Sequence, residues 1–381
     1  MNDGSLGIPN AATHPVEASR DLRLDACRGL ALWFIFIDHI PDNVFDWVTL
    51  RNYGFSDTAE VFVFVSGYTC MLAYGGALRD QGWPSILARS LRRGFEIYAA
   101  FLLLVVAYLA LIWAAGGSSH FDETNTRFFF ETPGAALLHI MTLQYAPVNT
   151  DILSTFAIFH LAFPLVLWLL TRSAAATLVL SLLLYLAVQL FGWHVPAWPH
   201  GEMYFNPFAW QILFVLGAWF AGPGAARLAA LLRSRIVLMF AVAFILISLV
   251  VALSWQFEAL KWLVPDLVGR WIYPIDKSHL ALPRLLHFLA LAAVVARFIP
   301  PEWHGLVKPW TMALIRCGEN SLAMYCIGVL ASFVALVVLK QVAAGPAMQA
   351  AVSAAGIALM IVAATLLTWE AKRDRRGPKL F

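Results

Sequence analysis

About ten apolar runs, each close to the length of a membrane-spanning helix, follow one another along this chain. A helix needs about 20 mostly apolar residues to cross a bilayer, with some latitude for tilt. Hydrophobic residues make up 61% of the sequence and charged residues only 13%, whereas soluble proteins are about half apolar and a quarter charged. We therefore predict an all-α polytopic integral membrane protein, a bundle of about ten transmembrane helices. The predicted spans are residues 28–48, 57–77, 94–115, 151–171, 174–191, 207–222, 236–254, 283–299, 318–340 and 347–369.

Basic residues are distributed unevenly between the two sides of this topology. With the N-terminus in the cytoplasm, most arginines and the basic stretch 372–376 fall on the cytoplasmic side. The positive-inside rule then predicts that both termini are cytoplasmic and that the number of spans is even. We divide the chain into a cytoplasmic tail (1–22), a transmembrane domain (23–370) and a basic cytoplasmic tail (371–381). The basic residues left for the other side are Arg51, Arg127, Lys261, Arg270, Lys277 and Lys340.

Composition also excludes several kinds of partner. The net charge of +3 is small and scattered, and no basic patch alternates with aromatic residues, so we expect no nucleic-acid binding. The four cysteines form no CxxC pair and have no zinc-type spacing to histidines, which predicts no metal site. The lipid bilayer is the partner that this composition requires, and a homo-oligomer is possible.

Two polar side chains mark the first apolar run. Arg28 stands at its cytoplasmic start, and His39 follows after ten intervening residues, which is about 16 Å along a helix. Charged groups at such positions are costly and ask for a functional explanation. A basic group at one membrane face and an imidazole deep in the membrane suit a long ligand with an anionic head. A coenzyme A thioester has this shape.

The same residues resemble the first helix of the acyltransferase-3 superfamily, and further segments resemble its OpgC branch more closely. The resemblance implies a cytoplasmic acyl-coenzyme A donor, an acceptor outside the cytoplasm and, for the OpgC branch, succinylation of periplasmic glucans. It also implies a bacterial inner-membrane location. The segments follow one order over most of the chain: 20–25 (RDLRLD), 35–41 (IFIDHIP), 55–68 (FSDTAEVFVFVSGY), 206–211 (NPFAWQ), 276–277 (DK) with 284–291 (RLLHFLAL), and 319–322 (ENSL).

His39 is the predicted general base. A neutral imidazole with a pKa near its ordinary value of about 6.5 can take the proton from an acceptor hydroxyl as that oxygen attacks a thioester. The structural alternative is a buried histidine that is hydrogen-bonded to a backbone carbonyl. Asp38 is a candidate polar residue of the same site, although helix geometry turns it about 100° away from His39. The sequence shows no serine or cysteine nucleophile in a recognisable elbow, which favours direct transfer.

Asp57 and Glu60 are three residues apart and share one face of the second helix, where we expect them to line the reaction site. For Asp57 the alternative is an N-cap, and for Glu60 it is an ion pair with an arginine. Arg284 and His287 form a second polar pair in a later span. Arg284 is predicted either to pair with those carboxylates or to receive the distal carboxylate of a succinyl group.

Arg89, Arg92 and Arg93 lie in the second cytoplasmic loop, where the spacing of three or four residues predicts that Arg89 shares a helix face with Arg92 or Arg93. With Arg28 they are predicted to hold the donor phosphates by charge-assisted hydrogen bonds, although topology signalling accounts for some of them. Aromatic residues at the outer boundaries fit either an aromatic belt or a sugar-stacking surface. The segment 133–145 is short for a span, and three placements stay open for it: it spans the membrane, lies along the membrane interface or folds back into the bundle.

We therefore predict an O-acyltransferase that moves an acyl group, succinyl above all, from acyl-coenzyme A to a hydroxyl of an extracytoplasmic glucan or other glycan. No cofactor is expected to be permanently bound, because acyl-coenzyme A is the donor substrate. The main alternative is a secondary transporter or flippase, since intramembrane His, Glu and Arg also serve proton relays. A non-catalytic scaffold in an envelope-glycan complex is a further alternative.

Overall fold

The computed structural model describes residues 21–300 and 302–376, and α-helices form most of these ranges. The one β pairing among the described residues is an isolated bridge between Pro196 and Glu202. The predicted all-α class is therefore confirmed. Of the predicted tails, residues 1–20 and 377–381 lie outside the described residues, and residues 371–376 are the last residues of a helix.

Each of the ten predicted spans coincides with a helix or with one arm of a bent helix. The ten are α1 (Leu22–Asp38), the two arms of α2 (Thr58–Ala114), α5 (Ile152–Arg172), α6 (Ala174–Phe191), α7 (Pro207–Ala221), α9 (Arg235–Gln256), α11 (Leu282–Phe298), α13 (Ser321–Gln341) and α14 (Pro346–Arg376). Shorter helices connect them: α3 (Arg127–Glu131), α4 (Pro133–Met141), α8 (Ala225–Arg233), α10 (Asp266–Ile272) and α12 (Pro309–Glu319).

Within the described residues, seven helices are long and apolar enough to cross a membrane, or eight if the bent pair α7 and α8 counts as one broken span. The protein is accordingly a multi-pass membrane protein. The 17-residue helices α1 and α11 are just shorter than the 18 residues that this count requires. Each is nevertheless about 25 Å long, close to the hydrocarbon thickness of about 30 Å. These two short helices carry Arg28 and Arg284.

The first span ends earlier than its hydrophobicity predicts. Apolarity placed it at 28–48, but α1 ends at Asp38 and His39 is its C-cap. Pro41 cannot donate a helical hydrogen bond and disfavours helical geometry in the residue before it. Asp42 then takes a left-handed conformation, with φ of 55°. Two short 3₁₀ turns, Val44–Val48 and Leu50–Asn52, lead on to α2.

Three glycines hold the helices that carry the predicted site. A Cβ on Gly29 of α1 would lie 1.9 Å from the Leu314 carbonyl oxygen of α12. A Cβ on Gly67 of α2 would lie 1.9 Å from the Phe214 oxygen of α7, and one on Gly217 of α7 would lie 2.1 Å from the Phe64 oxygen of α2. Only glycine permits such close backbone approach between helices. These contacts fix α1 and α2 against α12 and α7.

Candidate active site

The candidate site is a cavity of about 740 Å³ where α1 ends and α2 begins. We call it the His39 cavity. Segment 133–145 contributes to the wall of this cavity. Its helix α4 is too short to span a membrane, and the chain from Leu143 to Asn149 lines the cavity. The lining includes Asp38, His39, Ser56, Asp57, Asp151, Trp198, Glu202, Tyr204, Trp255, Lys277, Arg284 and Tyr325.

The side chain of His39 lines this cavity. Its Nδ1 atom is buried and has no hydrogen-bond partner in the described part of the chain. A buried polar atom of this kind normally has a partner in the protein or in solvent. The structural alternative requires a backbone carbonyl at the imidazole, and Nδ1 does not meet one. The imidazole therefore lies on the cavity wall without a carbonyl bound at Nδ1.

Asp38 lines the same cavity but does not orient His39. Its Oδ1 atom accepts a hydrogen bond of 2.7 Å from the Thr49 hydroxyl, which belongs to the turn that follows α1. The helical-wheel argument against a direct Asp38–His39 contact thus agrees with the structure. Because α1 ends at Asp38, both side chains nevertheless reach one cavity.

Asp57 and Glu60 begin α2 as a capping box. The Ala59 amide donates to Asp57 Oδ1 at 2.9 Å, and the Asp57 amide donates to Glu60 Oε2 at 3.0 Å. The local pattern of Asp followed by Glu three residues later favours this arrangement, because each side chain satisfies an amide at the start of the helix. The predicted N-cap role of Asp57 and its place at the cavity are both observed.

Two cations from a distant part of the chain complete this network. Arg284 of α11 donates to Glu60 Oε1 at 2.8 Å and to Asp57 Oδ2 at 3.0 Å. Lys277 Nζ lies 2.7 Å from Asp57 Oδ2. Glu60 is fully buried, so the pairing with Arg284 is what makes its charge tolerable there. The predicted pairing of Arg284 with these carboxylates is thus observed, and Glu60 acts as its structural partner.

Lys277 is the residue that sequence reasoning missed. It occurred in one of the segments that carry the family resemblance, but by itself it resembles an ordinary loop lysine. The Trp210 indole donates to its carbonyl oxygen at 3.0 Å and thereby fixes the backbone of the loop. Burial lowers the pKa of Lys277, but the nearby acidic groups, Asp57 first and then Glu60, together outweigh burial and leave that pKa above its usual value. Lys277 is therefore a fixed positive charge at the His39 cavity.

A serine and a histidine also meet in this wall. The Ser56 hydroxyl lies 2.7 Å from His287 Nδ1, and the Ser56 amide donates to the same nitrogen at 3.2 Å. Because Nδ1 accepts from the amide, the proton of the neutral imidazole is on Nε2. No sequence pattern indicates this pair, because its members are 231 residues apart. Ser56 lines the cavity.

A second cavity, of about 240 Å³, lies along α1 toward Arg28, and we call it the Arg28 cavity. Arg28 donates to Asp25 Oδ1, while its Nε atom is buried without a described partner. Arg93 also lines this cavity and bonds Glu96 at 3.2 Å. The remaining lining includes Ile35, Phe62, Ser66, Thr69, Cys70, Tyr74, Ile152, Phe156, His160, Ser321 and Tyr325.

The structure separates the three clustered arginines. Arg93 faces the Arg28 cavity, as its predicted role requires. Arg92 is 83% exposed and is paired with Glu96, and Arg89 is also exposed. Neither Arg89 nor Arg92 is among the lining residues of the two cavities. The shared helix face thus brings one arginine of the cluster together with Arg28.

Some of the boundary aromatics belong to the His39 cavity. Trp198, Tyr204 and Trp255 line it, and the Trp198 ring stacks on His139 with centroids 4.9 Å apart. Trp193 and Trp262 are exposed and do not line it. The structure thus separates cavity-lining aromatic residues from exposed ones.

Comparison with known proteins assigns the chain to a family. The OpgC protein family matches residues 20–372, a range that contains both cavities. The chain belongs to the OpgC family. No curated protein and no solved structure matches the chain. Membership indicates a role in the modification of osmoregulated periplasmic glucans, as a glucan-modifying acyltransferase.

In this OpgC-family protein, the polar side chains of the candidate site lie in two cavities along α1 rather than in one cluster. In the described residues, no group of three or more His, Cys, Asp and Glu side chains is placed to hold a metal ion. The groups available for chemistry at the His39 end are therefore an imidazole, carboxylates, a hydroxyl and the two cations.

Proposed function

We propose that this protein transfers an acyl group, succinyl above all, from cytoplasmic acyl-coenzyme A to a hydroxyl of a periplasmic glucan. The position of the His39 side chain on the wall of the His39 cavity is the observation that carries the proposal. In this proposal the protein lies in the bacterial inner membrane with both termini in the cytoplasm. The Arg28 cavity then faces the cytoplasm and the His39 cavity faces the periplasm.

The reaction needs one base at the acceptor hydroxyl. His39 takes the hydroxyl proton as the oxygen forms a bond to the thioester carbonyl carbon. The tetrahedral intermediate then expels the coenzyme A thiolate, and the imidazolium returns the proton to that sulfur. The products are the glucan ester and free coenzyme A, so atoms and charge balance with no covalent enzyme intermediate.

The donor is proposed to bind with its phosphates at the Arg28 end. Arg28 and Arg93 are the cations of the Arg28 cavity, and guanidinium groups recognise phosphates by charge-assisted bidentate hydrogen bonds. Arg89 and Arg92 are exposed beyond the cavity, where they can contact the more distant phosphates. A thioester held in this way points its acyl end along α1 toward His39.

The distal carboxylate of a succinyl group is proposed to bind Lys277, with Arg284 behind it. Both cations line the His39 cavity, but the Lys277 side chain is 29% exposed and that of Arg284 only 9%. Arg284 is also held by two carboxylates, which leaves less of its guanidinium for a substrate. Lys277→Met should therefore reduce the preference for succinyl-coenzyme A over acetyl-coenzyme A, and an unchanged preference would contradict this assignment.

The test of the main proposal uses purified protein in liposomes with radiolabelled succinyl-coenzyme A and glucan. His39→Gln should lower acyl transfer by about 10²–10⁴-fold, the usual contribution of a general base, while donor binding persists. His120→Gln is the matched control, because His120 is a buried histidine with its own partner, Glu123, and lines neither cavity. Transfer that survives His39→Gln would refute the proposal. Proton-coupled uptake without a thioester would instead support a transporter.

A further inference from the structure

Three side chains line both cavities and therefore form the wall between them. They are Ile35, Ile152 and Tyr325, and they come from α1, α5 and α13. Ile152 and Tyr325 are buried. No other residue occurs in the linings of both cavities among the described residues. The boundary is thus one layer of three side chains.

The order of lining residues along each helix supports this boundary. On α1, Arg28 lines one cavity and Asp38 the other, with Ile35 between them. On α2, Ala59 lines the His39 cavity and Phe62 lines the Arg28 cavity. Along α1 and α2 the lining therefore changes from one cavity to the other within a few residues.

Tyr325 is the one member of this layer that has a polar attachment. Its hydroxyl donates to the Asn149 carbonyl oxygen at 2.6 Å. Asn149 has a left-handed backbone, with φ of 68°, and lies in the chain that covers the His39 cavity just before α5. The ring of Tyr325 is thereby fastened to a loop that forms part of the acceptor side of the wall.

We propose that Ile35, Ile152 and Tyr325 form a gate between the two cavities and that the Tyr325–Asn149 hydrogen bond holds it closed. The proposal rests on the proposed function, in which an acyl group must pass from the Arg28 cavity to the His39 cavity. Contact of an acceptor glycan with the loop at Asn149 releases the tyrosine and opens the gate. Without an acceptor glycan, the closed gate keeps the thioester away from water and His39. Water that attacked the same carbonyl would release free succinate and coenzyme A.

The gate can be tested without any measurement of transfer. Cys70 lines the Arg28 cavity and serves as a reporter after Cys27, Cys317 and Cys326 are changed to serine. A membrane-impermeant methanethiosulfonate reagent is applied to the full-length protein in vesicles, from the side of the His39 cavity. Labelling from the other side gives the reference rate, and Ser66→Cys provides a second reporter in the same cavity.

Removal of the Tyr325–Asn149 hydrogen bond should increase labelling of Cys70 from the side of the His39 cavity. Tyr325→Phe should raise the rate about fivefold, which corresponds to about 1 kcal/mol, the usual net value of one hydrogen bond. Tyr325→Leu, which also removes the ring, should raise it further. Tyr185→Phe is the matched control, because the Tyr185 hydroxyl donates to the Leu280 carbonyl at 2.9 Å but lines neither cavity. Unchanged labelling of both reporters in Tyr325→Leu would overturn the gate.

A kinetic measurement adds the functional consequence. Tyr325→Leu should raise acceptor-independent hydrolysis of succinyl-coenzyme A relative to transfer, whereas Tyr185→Phe should leave the ratio unchanged. An unaltered ratio in Tyr325→Leu would refute the proposed protection of the thioester. If labelling changes as expected while the unsubstituted protein transfers no acyl group, the gate stands and the proposed function fails. The two proposals are thus separated by their own readouts.

Discussion

The ion pair between Arg284 and Glu60 gives the sharpest prediction about stability. Arg284→Met leaves the fully buried Glu60 carboxylate without the cation at 2.8 Å, while Asp57 keeps Lys277 at 2.7 Å. Loss of one partner from a buried ion pair costs about 3–5 kcal/mol, because the remaining charge has no compensation. We expect a loss of unfolding free energy in that range.

The double variant shows whether this loss comes from the pair. Replacing both members by methionine removes the buried charge together with its partner, and apolar replacements of buried ion pairs are often neutral. The double variant Arg284→Met/Glu60→Met should therefore be more stable than the sum of the single effects predicts, by about 2–3 kcal/mol. Part of the loss should persist, because Glu60 also accepts from the Asp57 amide.

The assay is unfolding in mixed micelles of increasing SDS fraction, followed by tryptophan fluorescence. Arg127→Met is the matched control, because its pair with Asp122 is exposed, with side-chain exposures of 49% and 76%. Exposed pairs contribute about 0–1 kcal/mol. An Arg284→Met effect no larger than that of Arg127→Met, or strict additivity in the double variant, would refute the reasoning.

Three further predictions follow from other contacts. Arg93→Ala should raise the KM for acyl-coenzyme A more than Arg92→Ala, because of these two arginines only Arg93 lines the Arg28 cavity. Steady-state kinetics with equal KM values for the two variants would contradict this. Ser56→Ala should lower the transfer rate but not abolish transfer, since direct attack by the acceptor needs no serine nucleophile. A burst of acyl-enzyme in the unsubstituted protein that is lost in this variant would instead indicate a serine nucleophile. Gly217→Leu should reduce folded yield in detergent chromatography, because its Cβ would lie 2.1 Å from the Phe64 oxygen, and a normal yield would argue against close α2–α7 packing.

Local sequence features determined much of the architecture. Length and apolarity were enough to place ten helical segments, because a bilayer sets the length of a span. The capping box at Asp57 and Glu60 follows from residues three positions apart, and the termination of α1 follows from Pro41. The extent of that first span was nevertheless predicted too long, because hydropathy continues where the backbone cannot remain helical.

Parts of the site were also readable in advance. Arg28 and His39 were singled out by their cost in an apolar run and by their spacing, and the structure places them at two cavities along α1. The arginine cluster was only partly resolved, since helical spacing identified a shared face but not which side chain meets the cavity. Lys277 was missed, because a loop lysine gives no signal until its partner is known.

The remaining features depend on contacts between distant parts of the chain. Arg284 and Glu60 are 224 residues apart, and Tyr325 reaches a carbonyl 176 residues away. In a membrane, lipid-facing and core-facing positions are both apolar, so periodicity does not say which faces of two helices meet. The sequence by itself therefore determined the helices and the polar residues that they carry. Only the packing of α1, α2, α5, α11 and α13 decided which of those residues form the two cavities and the wall between them.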